Sequence, residues 1–360
     1  MIQTRNLLVN VLRTPESITS LRLVDWDLLI RQARWADLLA RICFLLEEQG
    51  LLGEVPSQAR RHLESERAVA EAHARSVRWE AYQIRQALED LNVSVILLKG
   101  GAYILSGLPA GRGRLFYDMD ILVPKARLDA VEQALGLRGW VLTHLDAYDQ
   151  RYYRQWMHEL PPLRHIKRKT VLDVHHTILP ETSRLCPDPR KLIAAAQPLE
   201  GQGCLKILAP ADMVLHSATH LFHDGELDHG LRDLVDIDSL LRHFGRDETF
   251  WPELVERARE LDLIRPLYYA LRYTQAILGT PVPEATQQDI RIGCPGGFAP
   301  ALMDALFIRG LAPEHPSCDT PFTGLARWLL YVRSHGLRMP MHLLIPHLIR
   351  KAVRRRKDRA

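Results

Sequence analysis

Two aspartates one residue apart stand in an otherwise apolar run, Phe116-Tyr117-Asp118-Met119-Asp120-Ile121-Leu122-Val123, which Pro124 closes. Its β-branched and aromatic residues predict a short buried strand. Side chains on a strand alternate between faces, so Asp118 and Asp120 project side by side. Two carboxylates held that close repel each other, and the usual remedy is a bound cation. Oxygen-only ligands favour a hard ion such as Mg²⁺. This pair is the strongest chemical signal in the chain.

A second strand-like run, Val93-Ser94-Val95-Ile96-Leu97-Leu98, ends in Lys99-Gly100-Gly101-Ala102 and then an apolar stretch with helical spacing. Strand, glycine pair and helix start suit phosphate binding. Glycines let the backbone approach an anion, a helix N-terminus offers free N–H groups, and Lys99 adds a full charge. Tight turns use glycine pairs for plainer reasons, so this motif alone decides little. A third run, Lys169 to Ile178, places Val171, Asp173 and His175 on one face. An aspartate inside an apolar strand is costly unless it is paired or ligates a metal. Three carboxylates from two strands, beside a glycine turn, fit a two-metal site for phosphoryl transfer. His175 shares the face of Asp173 and could orient a metal ligand or an acceptor, as could His158. The plainer reading of each histidine is a core residue satisfied by hydrogen bonds.

The order Leu98-Lys99-Gly100-Gly101, Arg114 four residues before Asp118-Met119-Asp120-Ile121-Leu122-Val123, then Leu172-Asp173-Val174-His175, resembles the nucleotidyltransferase superfamily of DNA polymerase beta type. It is most similar to a branch of bacterial uncharacterised nucleotidyltransferases, over roughly residues 25 to 280. His158-Glu159-Leu160-Pro161-Pro162-Leu163 and Leu231-Arg232-Asp233-Leu234-Val235-Asp236 are further points of likeness. The resemblance implies an α+β fold, with a small mixed-sheet α/β core between N- and C-terminal helical regions. It implies transfer of a nucleoside monophosphate from an NTP to an acceptor hydroxyl, with two Mg²⁺ ions and release of pyrophosphate. Asp118 and Asp120 would hold both metals. Asp173 would hold the catalytic one and help deprotonate the acceptor. Lys99, Gly100 and Gly101 would cradle phosphates, and Arg114 would neutralise the triphosphate. The helix of Arg232 would close over the nucleotide cleft, with Arg232 as a further nucleotide contact. The superfamily usually carries Gly-Ser at the turn, and here no hydroxyl is present. The branch favours the lysine form, so Lys99 stands in as the phosphate contact.

With 47% apolar residues in 360, the chain can bury a substantial core. Four regions are expected: a helical 1–91, with a long helix from Pro56 to Leu91; an α/β core over 92–180, with a helix at Ala126 to Leu137; a helical 181–284; and an irregular and helical 285–360, the stretch 285–320 being irregular. Lys and Arg total 47 against 43 Asp and Glu, a balance that does not call for nucleic acid. Five scattered cysteines without a CxxC pair argue for a reducing compartment and against a zinc framework. No apolar run approaches membrane-spanning length and no signal-peptide pattern is present, so a soluble cytoplasmic protein is the expectation. The acceptor stays open among a small molecule, a tRNA and a protein.

His216, His220 and His223 fall on one helix face, followed by Asp224. A His pair at i, i+4 can bind zinc, and separately His223-Asp224 with Asp233 or Asp236 faintly suggests the metal motif of HD-type phosphohydrolases. A polar helix face lining the cleft or packed on the core is the plainer reading. A catalytically degenerate binding module is the other alternative to the transferase. A basic amphipathic helix over Met341 to Arg356 suits either a packed helix with a solvated basic end, the plainer reading, or one that binds a membrane surface or RNA.

Overall fold

The computed structural model describes residues 6–143, 146–224, 227–340 and 342–344. The proposed terminal helix from Met341 onward therefore lies almost wholly outside the described residues.

Helices Leu23–Trp35 and Leu39–Glu48 lead into a 32-residue helix, Ser57–Leu88. That helix buries Ala59, Leu63, Ala70, Val77, Ala81, Ile84 and Leu88, a stripe set by spacings of three, four and seven residues. It ends in a tight turn, Glu89–Leu91, and then Asn92, whose left-handed φ of 47° breaks the helix. Asparagine tolerates that conformation better than most residues. The expected helix over Pro56 to Leu91 is thus recovered to within three residues.

Seven strands form one mixed sheet: β1 (Val95–Leu97), β2 (Asp118–Leu122), β3 (Trp140–Leu142), β4 (Leu163–His165), β5 (Val171–His175), β6 (Gln197–Pro198) and β7 (Leu205–Ile207). Their order is β3-β4-β5-β2-β1-β7-β6. β2 runs parallel to β5 and antiparallel to β1, and β1 runs parallel to β7. The middle strands are short; β1 is wholly buried, and β2 and β5 bury one face. Met119 and Ile121 on β2, with Leu172 and Val174 on β5, turn into the core, each stabilising the fold by about 1.5–3 kcal/mol. The opposite faces of the same strands carry the aspartates, so the alternation read from sequence is the one the sheet uses.

Helix Lys99–Leu105 leaves the end of β1, and Leu128–Leu137 covers the sheet further on. Between them, Gly113 (φ 69°) brings its backbone against Arg41; a Cβ there would lie 2.7 Å from the Arg41 nitrogen. This approach seats the loop after Pro109 on the N-terminal helices. Helix Pro210–Thr219 continues into a wider turn with π-type bonding, His220–Asp224, and Gly230–Phe244 packs beside it. The stretch 285–320, expected to be irregular, contains helix Ala299–Gly310. Pro300 does not prevent it, because a proline in the first turn gives up an N–H that has no helical partner.

Candidate active site

β2 and β5 lie side by side in a register that sets Asp118 opposite Val171 and Asp120 opposite Asp173. Residues opposite one another on neighbouring strands share a face. Asp118, Asp120 and Asp173 therefore form one patch, with His175 two residues further along the same face. The glycine turn joins the patch because β1 is the other neighbour of β2, and the Leu98 N–H donates to the Asp120 carbonyl, 3.0 Å away.

Lys99 adopts a φ of 40°, in the left-handed region, although glycines follow it directly. An L-residue pays roughly 1–2 kcal/mol for such a conformation. Among the described residues Lys99 forms no salt bridge, yet its charge lowers the proton affinity of both Asp118 and Asp120. Gly100 has a steric reason to be glycine. A methyl group there would overlap the Phe116 ring and the Arg114 guanidinium, which lie over the turn.

The carboxylates divide their charge unequally. Burial pushes Asp120 upward, but Lys99 and the hydrogen bond with His175 hold it well below the ordinary carboxylate range. Asp118, at the exposed end of β2, is raised by burial of its surroundings and by Asp120, against Lys99, Arg114 and Arg232. Burial, Asp120 and Glu159 push Asp173 up to about 8, and its Oδ1 is buried without a hydrogen-bond partner. An orphaned carboxylate oxygen amid like charges is the electrostatic mark of a place for a cation.

Arg114 and Arg232, both expected at a triphosphate, are held by acidic partners. Arg114 Nε donates to Asp236 Oδ2 at 2.7 Å, while its guanidinium stacks on Phe116 at 5.2 Å. Arg232 donates to Asp233 at 3.0 Å and lies 3.6 Å from Asp37. Both remain close enough to lower the proton affinity of Asp118. Asp37 also accepts a hydrogen bond from the Tyr117 hydroxyl, at 2.9 Å. The exposed Tyr117 ring stacks on His229.

His175 Nε2 is 3.1 Å from Asp120 Oδ1, which accepts the hydrogen bond, and Nδ1 is 3.5 Å from Glu159 Oε2. Glu159, which the sequence offers only within the His158–Leu163 segment, joins this face. It arrives through an isolated antiparallel bridge between Glu159 and His175, which also brings the His158 ring onto that of His175. The only signal for it was its place between His158 and the apolar Leu160.

The three helix histidines go separate ways. His216 is buried, His220 lies 3.8 Å from Asp233, and His223 Nε2 is 2.7 Å from the Ser183 hydroxyl. The wider turn at His220 breaks the regular spacing that would have aligned them. The Asp224 side chain lies outside the described residues. Among the described residues they form no metal-holding group.

A model of the protein family described as "Uncharacterised nucleotidyltransferase" matches residues 22–279, well over half the chain. No curated protein matches it. No helix among the described residues is long and apolar enough to cross a membrane.

Proposed function

The chain belongs to the uncharacterised nucleotidyltransferase family, and from that premise we propose that it moves a nucleoside monophosphate from an NTP to an acceptor hydroxyl, releasing pyrophosphate. The observation that carries this reading is the pairing of Asp120 with Asp173. It collects three carboxylates of two adjacent strands on one face, beside the Lys99 turn.

The donor set fits Mg²⁺. It is all oxygen, it concentrates negative charge, and Asp173 offers a buried oxygen with no hydrogen-bond partner. Asp118 and Asp120 would hold two ions and Asp173 one of them. Bound there, the ions supply charge neutralisation at the phosphates and activation of the attacking oxygen. Asp173 would receive the acceptor's proton as the acceptor oxygen bonds to the α-phosphorus and the α–β bridging bond breaks, releasing pyrophosphate. Lys99 bonds the phosphates, and Gly100 and Gly101 keep the backbone of the turn close to them. Arg114, anchored through Nε by Asp236, presents its remaining N–H groups over Gly100. Arg232 holds the outer wall. Positioning and electrostatics account for most of the rate in such transfers.

The test is label transfer from α- and γ-labelled NTPs with Mg²⁺ to small molecules, tRNA and protein, including the enzyme itself. Only α-label should transfer, and Asp173→Asn should lower the single-turnover rate at saturating NTP. Transfer of γ-label would replace the reading with phosphoryl transfer. NTP binding without any turnover would support a binding module, which the engagement of Arg114 and Arg232 by Asp236 and Asp233 favours as the second reading.

A further inference from the structure

We infer that His158, Glu159 and His175 form a metal site of their own, which takes a borderline divalent ion, with Zn²⁺ as its reference, rather than Mg²⁺. One ligand atom from each residue lies within 4.8 Å of the other two. Glu159 Oε2 is 3.5 Å from His175 Nδ1 and 4.0 Å from His158 Nε2. A tetrahedral ion with bonds of about 2.1 Å has ligand atoms about 3.4 Å apart. The Glu159–His175 distance already matches, and the Glu159–His158 distance is about 0.6 Å longer than this spacing. His158 and His175 are buried, and their rings lie stacked with centroids 5.1 Å apart.

The ligand chemistry separates this site from the aspartate patch. Two imidazoles and one carboxylate suit Zn²⁺ and its transition-metal neighbours, whereas Mg²⁺ seeks oxygen. Three protein ligands leave a fourth position for water. The buried Nδ1 of His175 faces Glu159 Oε2 at 3.5 Å without forming a hydrogen bond, while its Nε2 is engaged by Asp120. A metal-bound histidine characteristically passes its other N–H to a carboxylate, which fixes tautomer and ring orientation. Here that carboxylate is Asp120, on the strand that carries the acidic pair. A metal at Nδ1 would therefore fix the position of Asp120 through His175, making His158 and Glu159 positioning residues. This inference does not depend on the transfer reaction.

The experiment uses the full chain, stripped with chelator and checked for folding by circular dichroism. Zn²⁺ is titrated in against excess Mg²⁺, and Co²⁺ is used in parallel as a spectroscopic reporter. The expected result is one tight Zn²⁺ per chain and a four-coordinate Co²⁺ visible spectrum. Both His158→Ala and Glu159→Gln should weaken binding by about a hundredfold or more, while Asp118→Asn and the five cysteines changed to serine leave it intact. His175 itself is left untouched, since its Nε2 also bonds Asp120. Absence of tight Zn²⁺ binding to the folded chain would overturn the inference. So would binding unchanged in both His158→Ala and Glu159→Gln, or binding lost in Asp118→Asn or the cysteine variant. Zn²⁺ binding without any nucleotide transfer would leave the inference standing and count against the proposed reaction alone.

Discussion

Arg114 and Asp236 stand 122 positions apart in the chain and meet with Nε and Oδ2 separated by 2.7 Å. The other oxygen of Asp236 accepts from Arg41 Nη2 at 3.0 Å, and Arg41 also donates to the carbonyls of Pro109 and Ala110. One buried carboxylate thus ties an N-terminal helix, the loop before β2 and helix Gly230–Phe244 to one point. Its removal strands two buried cations. Asp236→Ala is expected to cost about 3–5 kcal/mol in urea unfolding. A loss below about 1 kcal/mol would show that the arginines find other partners.

Lys99 sits in a conformation that glycine adopts without cost, so it is kept against the preference of the backbone. Lys99→Gly should leave the melting temperature unchanged or higher. Mg²⁺-dependent affinity for a non-hydrolysable NTP should fall by about ten- to a hundredfold, the scale of one charged hydrogen bond. A lower melting temperature with unchanged affinity would make Lys99 a structural residue.

Asp118→Asn and Asp120→Asn each take a negative charge from a crowded face. Each should abolish Mg²⁺-dependent transfer; without metal, Asp118→Asn should melt at the same or a higher temperature, whereas Asp120→Asn should melt lower, because Lys99 and His175 stabilise the ionised Asp120. Calorimetry and single-turnover assays on the same preparations check both halves. Turnover close to wild type in either variant would remove the acidic pair from the chemistry.

His216 provides a pH handle. Burial, followed by the charges of Lys99, His220 and His175, holds it well below its ordinary value of 6.5, with Asp120 opposing. The folded protein keeps this ring neutral while the unfolded chain protonates it below pH 6.5. Its contribution is therefore full above that value and is lost as pH falls, by up to roughly 1.4 kcal/mol per unit. The difference in urea stability between wild type and His216→Gln should shrink by that slope from pH 7 towards pH 5. A difference independent of pH would mean that the ring is charged, or solvated, in the folded state.

What could be read from the sequence was local. The alternation of Asp118 and Asp120, the glycine turn after β1 and the stripe of the long helix all follow from spacing within one element. The opposition of Asp120 and Asp173 could not be read, because register is decided between strands. Glu159 escaped notice because a two-residue bridge has no strand pattern of its own. The anchoring of Arg114 depended on a partner 122 residues away. The plain reading of the histidine face holds, and the widened turn at His220–Asp224 is what separates His216, His220 and His223. Helix Ala299–Gly310 is hidden in a stretch rich in Pro and Gly, and Pro300 falls in the one turn that accepts it.

The sheet order also bears on how the chain reaches its native state. β1 has β2 on one side and β7 on the other, and Val95 pairs with Leu205. During synthesis, the strand leading into the Lys99 turn waits for more than a hundred further residues before its second edge is covered. Contacts of such long sequence separation close slowly and leave apolar edges open in the meantime. Chains interrupted before β7 should therefore expose β1 and aggregate, and the carboxylate patch should be among the last regions to gain protection from hydrogen exchange during refolding.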